Sequence, residues 1–223
     1  MRTIVHHSSP RNPRRLSRLA LRAILLTALF AGTAQATTFG YVSQIRSVSS
    51  FSFLDGSGGT QTATDFLPFV ASSSSNGSYA SQNSTLGTTE ILLRVEASGY
   101  DAASASSGFD VRFTIAQAVP FTLTGFLYRS VGGASMRLEE VGDAVIYEPG
   151  TIPSGGLAVD ESGVLGPGTY DFTASASAGG FTFDQSVGGL LTIPEPGTAT
   201  LLALGLAGVA WRRPRVGGRK AGN

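Results

Sequence analysis

Cysteine is missing from all 223 residues, which excludes a disulfide framework and any metal held by thiolates. His occurs only at His6 and His7, Trp only at Trp211 and Lys only at Lys220. The stretch 37–196 therefore contains none of the four residue types. Without them a Ser-His-Asp triad, a Cys-His pair, a Ser-Lys dyad and a Lys Schiff base cannot be built there. Zinc sites made from His or Cys are excluded for the same reason. Gly56, Gly58 and Gly59 form a turn without the Lys of a phosphate-cradling loop. Calcium is the one metal that oxygen ligands would allow, but the loops around Asp55 and at 143–148 lack its D-x-D-x-D-G spacing. No metal site, cofactor or catalytic residue is expected. Charge is scarce as well, at 14% of residues against the ~25% usual in globular domains.

The net charge of +1 is a cancellation between parts. Six arginines crowd the first 36 residues, and Arg212, Arg213, Arg215, Arg219 and Lys220 crowd the last dozen. Between them, residues 37–196 hold five arginines against all fifteen acids, a net of −10. A domain of that sign repels phosphate backbones, so nucleic acid is excluded as a partner.

The first 22 residues form a basic region without an acid, followed by the apolar run Ala23–Ala31. Ala34-Gln35-Ala36 then supplies an A-x-A site, which predicts a signal peptide over 1–36, cleaved by signal peptidase before Thr37. The apolar run is too short for a membrane span. Arg14-Arg15 follows Pro13, and Ser17 stands where a twin-arginine signal has an apolar residue, so the general secretion machinery is the expected route.

At the other end, Pro194 and Pro196 flank Glu195 and forbid a continuous helix. Residues 198–211 then run apolar and uncharged up to Arg212, Arg213 and Arg215. Such a helix spans about 21 Å, short of the ~30 Å hydrocarbon core, and snorkelling arginines with an interfacial Trp211 would let it insert. By the positive-inside rule the basic tail, 216–223 included, stays cytoplasmic and the acidic domain lies outside. The succession Pro194-Glu195-Pro196, apolar helix and arginine cluster over 193–215 resembles the PEP-CTERM sorting signal. That resemblance implies recognition by an integral-membrane exosortase in bacteria with an exopolysaccharide envelope. It further implies removal of the helix near the tripeptide, an inner-membrane intermediate, and delivery to the cell surface or extracellular matrix.

The exported part, 37–192, is long enough to bury a core and shows no internal repeat, no dividing linker and no sustained 3.6-residue period. Phe109, Val111, Phe113 and Ile115 alternate with polar residues, as in a half-buried strand. Phe121, Leu123 and Gly125 continue the pattern after a break at Pro120. Further strands are expected at 39–53, 90–97, 134–139, 144–147, 169–178, 181–187 and 190–193. Ser72–Ser75 with Asn76-Gly77, and Ala102–Gly108, read as loops. Many short strands with Gly-rich turns predict an all-β fold, a single antiparallel β-sandwich or jelly-roll-like domain. Gly166-Pro167-Gly168 leads into a strand whose Tyr170 is placed to fold back on the turn as a tyrosine corner.

For function, carboxylates alone remain for acid–base work. A glycoside hydrolase built on Glu139, Glu140, Asp160 and Glu161 is the surviving enzyme class, but adjacent acids on strands point to opposite faces and are usually solvated. The leading expectation is a non-enzymatic surface or matrix protein. The main alternative is a carbohydrate-binding module for exopolysaccharide, which requires solvent-facing tyrosines gathered on one sheet face from among Tyr41, Tyr79, Tyr100, Tyr128, Tyr147 and Tyr170.

Overall fold

The computed structural model describes residues 38–153, 155–180 and 184–194, and among these there is no helix. The first seven strands are β1 (Gly40–Ser52), β2 (Gly58–Ala63), β3 (Phe69–Ser75), β4 (Ser78–Leu86), β5 (Glu90–Gly99), β6 (Ala103–Ile115) and β7 (Val119–Arg129). They are followed by β8 (Gly133–Glu140), β9 (Val145–Tyr147), β10 (Leu157–Leu165), β11 (Gly168–Gly180) and β12 (Gln185–Thr192). Two six-stranded sheets result, ordered β2-β1-β6-β11-β8-β9 and β10-β7-β12-β5-β4-β3. Every pairing is antiparallel. The fold is the expected β-sandwich, and the chain crosses repeatedly from one sheet to the other.

The period-two pattern explains the layers, because inward side chains alternate with outward ones along each strand. On β6, Phe109, Val111, Phe113 and Ile115 are buried while Asp110 and Arg112 face out. The core is graded along the strands. At the end where the chain enters and leaves, aromatics fill it: Phe39 meets Phe113 edge-on at 4.8 Å, and Phe113 stacks on Tyr170 at 5.6 Å. At the opposite end the inward positions are small: Ala80, Ala97, Ala105, Ala176 and Ala178.

That grading corrects two expectations. Ala102–Gly108 is not a loop, because residues from Ala103 onward form the first half of β6, with Ala103, Ala105 and Ser107 buried. Ser72–Ser75 is likewise strand, the second half of β3, hairpinned to β4 through Asn76-Gly77. Gly77 supplies the left-handed turn position at φ +81°, and a Cβ there would lie 2.8 Å from the Tyr100 carbonyl oxygen. Serine and alanine suit these segments because the sheets are separated there by small side chains. The break before the Phe121 run falls at 116–118, and Pro120 is already the second residue of β7. The stretches expected at 181–187 and 190–193 belong to one strand where described: β12 runs through Gly188-Gly189, and 181–183 lie outside the described residues.

Arg46 breaks the apolar rule. It is one of the largest fully buried side chains among the described residues, on a strand where Gln44, Arg46 and Ser50 point inward while Ile45 and Phe51 point out. Its guanidinium donates to the carbonyls of Asp65 and Leu67, both at 2.6 Å, to Gln44 Oε1 at 2.7 Å and to Ser84 Oγ at 3.2 Å. It also sits 5.5 Å from the Phe69 ring centroid. The carbonyls belong to the crossover between β2 and β3, edge strands of different sheets. Arg46 thus ties that crossover to the interior. Burial lowers its pKa, with nearby Asp65 acting in the opposite direction.

Candidate functional site

The tyrosine corner forms as expected: the buried Tyr170 hydroxyl donates to the Gly166 carbonyl at 2.8 Å. Burial, then the charge of Glu140, raises its pKa. A second cluster gathers on the turn at 87–89, between β4 and β5. Tyr41 Oη donates to the Gly87 carbonyl at 2.6 Å. The Phe39 amide donates to Thr88 O, and the Ile193 amide to Thr89 O, each at 2.9 Å. Entry to the domain at Phe39 and exit at Ile193 are therefore fastened to one turn at one pole of the sandwich.

The exit is abrupt. Ile193 is fully buried in the core and Pro194 is exposed. Of the predicted sorting residues, only Pro194 is described; Glu195, Pro196, Arg212, Arg213 and Arg215 lie outside the described residues, as does the helix expected at 198–211. Ala34, Ala36 and Thr37, the expected signal-peptidase site, lie outside them too.

The four candidate carboxylates are divided between sheets, with Glu139 and Glu140 on β8 and Asp160 and Glu161 on β10. Glu139 is held by Arg137 at 2.6 Å. Glu161 lies close enough to Tyr147 to add to the burial that raises the phenol's pKa. Among the described residues, no group of three or more His, Cys, Asp or Glu is placed to hold a metal ion.

The tyrosines separate into three environments. Tyr170 is buried, Tyr41 and Tyr147 are half-buried, and Tyr100 is exposed near the β5–β6 turn. Tyr79 on β4 and Tyr128 on β7, 43% and 40% exposed, open on the outer face of the same sheet. They flank a concavity of about 450 Å³ whose floor and walls include Glu96, Ser98, Asp184 and Ser186. Glu96 is fixed in place: Ser81 Oγ donates to its Oε2 at 2.9 Å and Arg94 Nε to its Oε1 at 2.8 Å. Neighbouring hollows extend the concavity in both directions. One shares Tyr79 and Glu96 and reaches Val70 on β3; the other shares Tyr128 and Ser186 and reaches Ala158 on β10. Sequence patterning marks Tyr79 and Tyr128 as aromatic without assigning them to one sheet, since the strand order that joins them is not sequential.

No curated protein and no solved structure matches the chain. Its terminus does match a family model, that of the PEP-CTERM protein-sorting motif, over residues 192–215. The match begins on the last residue of β12 and continues through the tripeptide and arginines. The terminus therefore carries a PEP-CTERM protein-sorting motif, which supports an exported protein targeted to an exosortase.

Proposed function

We propose that the protein is a non-enzymatic surface or matrix domain, tethered during export by the helix at 198–211 and separated from it by exosortase near Pro194-Glu195-Pro196. One observation carries this reading: the core closes at Ile193 and the chain is exposed at the next residue. A cut beyond Pro194 leaves every described core side chain within the domain that remains. The −10 charge of residues 37–196 keeps such a domain soluble in the matrix. The absence of His, Cys and Lys from that stretch supports a non-catalytic role.

The test is intact mass and membrane fractionation of the protein from its native host, with and without the exosortase. A fragment from Thr37 to near Pro196, found only when the exosortase is present, is the expected result. A membrane-bound species retaining Trp211 and the arginines in both strains would overturn it, and leave a plain membrane-anchored envelope domain. A second reading, glycan binding, is favoured by the shared face of Tyr79 and Tyr128.

A further inference from the structure

The outer face of the second sheet has a definite chemistry. Cross-strand register sets Tyr128, Ser186, Glu96 and Ser81 in one row across β7, β12, β5 and β4, with Tyr79 one row further out beside Ser98. Three inter-strand steps separate the tyrosine strands, roughly 14 Å. An extended ligand lying across the strands would meet an aromatic ring at each end and oxygen acceptors between them.

From this arrangement we propose that the trough between Tyr79 and Tyr128 binds a polysaccharide that lacks acidic groups, neutral or amine-bearing, through its sugar faces and hydroxyls. The proposal rests on the glycan-binding reading above and specifies its ligand. A pyranose has apolar C–H faces, which suit exposed phenol rings, and a rim of hydroxyls, which suits fixed acceptors. The Glu96 carboxylate keeps accepting capacity beyond the bonds from Ser81 and Arg94. Asp184 adds an exposed negative charge at the trough wall. Arg94 offsets the Glu96 charge at 2.6 Å, so it is Asp184 and the net −10 of residues 37–196 that repel a polyuronate and attract protonated amino sugars.

The position is consistent with use from the membrane. Tyr79 and Ser186 are the second residues of β4 and β12, and Glu96 and Tyr128 lie near the ends of β5 and β7. All four therefore sit at the pole opposite the turn at 87–89, where the chain enters and leaves. Along β12 alone, Ser186 is six residues from Thr192, about 20 Å. A domain tethered through Pro194 presents the trough away from its tether.

The experiment uses the full-length chain, expressed in an exporting bacterium and purified from whichever fraction holds it. Calorimetric titration is run with three probes: a soluble neutral β-glucan, chitosan oligosaccharides and alginate. The first two are expected to bind, the chitosan more tightly at low salt, with that advantage lost as salt screens it. Alginate is expected not to bind. Tyr128→Ala and Tyr79→Ala should each weaken binding about tenfold, while Tyr128→Phe stays within about twofold because the stacking ring is kept. Alginate binding as tight as glucan binding would overturn the ligand class. Alanine variants that bind like the parent would overturn the location. Failure to bind any of the three probes would overturn the glycan reading itself and leave the export and processing proposal standing.

Discussion

Replacing Arg46 by Met tests whether the buried guanidinium stabilises the sandwich or merely survives in it. The substitution removes the donors to the Leu67 carbonyl and Gln44 Oε1, while the Asp65 carbonyl retains its bond from Gln44 Nε2. The buried Gln44 Oε1 and the part-buried Leu67 carbonyl, left without these donors, together cost about 2–5 kcal/mol. Relief of the guanidinium's own desolvation offsets part of that, since an apolar replacement of a buried ion is often tolerated. The expected net loss is about 3 kcal/mol, a urea midpoint lower by roughly 1.5 M at an m-value near 2 kcal/mol/M. Arg46→Lys should lose about 2 kcal/mol, because one ammonium cannot reach carbonyls and side chains on three sides. Asp65→Asn is the control. Its carboxylate lies 3.6 Å from Arg46 but is 64% exposed, so its loss should cost below about 1 kcal/mol while the backbone acceptor remains. Urea unfolding of the purified protein reads all three. An Arg46→Met protein within 1 kcal/mol of the parent, at unchanged m, would refute the reasoning, because desolvation relief would then cancel the lost hydrogen bonds.

Glycine packing gives a second contrast: a Cβ at Gly125 would lie 2.1 Å from the Gly188 carbonyl oxygen, whereas one at Gly179 meets nothing within 4 Å. Gly125→Ala should cost more than about 2 kcal/mol by forced backbone displacement, and Gly179→Ala should be neutral or gain about 0.5 kcal/mol, both read by thermal unfolding. Asp101 and Ala102 sit at φ +45° and +60° in the turn joining β5 to β6; Ala102→Gly should therefore raise stability by about 0.5–1 kcal/mol. Burial raises the pKa values of Tyr41 and Tyr170, with Glu90 and Glu140 adding to the shifts. Because these folded-state values lie above the unfolded one near 10, the stability they contribute is complete below about pH 10 and is lost as pH rises through the folded values. Tyr170→Phe should cost about 1 kcal/mol at pH 7 for the bond to Gly166 and flatten the alkaline loss in a pH series of melting temperatures.

Fold class was legible where large apolar residues announce the period of a strand. Phe109 to Ile115 alternate without exception, and the Pro-Gly turn before Tyr170 carries the corner that the hydroxyl bond closes. Other stretches were written in serine and alanine, which make equally good loops and equally good thin core. Asn76-Gly77 is a strong hairpin signal, yet its flanks lack the alternating apolar residues that would have drawn β3 and β4 around it. Arg46 was legible only in phase: it shares its face with Val48, and the outward residues Ile45 and Phe51 mislead as to which face is buried. The trough could not be read from the sequence, since Tyr79 and Tyr128 are joined through β5 and β12, and that order is a property of tertiary pairing.

The two ends of the sandwich divide its work. The entry and exit segments share one turn, and the aromatics Phe39, Phe113 and Tyr170 pack at that pole. Mechanical load from a tether through Pro194 would therefore fall first on Ile193 and its bond to Thr89, at the aromatic end of the core. Load applied at the ends of adjacent antiparallel strands is resisted by interior packing as well as by the ladder, and β12 lies between β5 and β7 along its full length. The alanine-lined pole carries no such duty. Its small inward residues leave the outer face free to vary without disturbing a large-residue core, which is the condition a binding surface needs. On the proposed functions, anchorage and recognition fall at opposite ends of the described sandwich, and the sorting motif begins at the end where Ile193 enters the core.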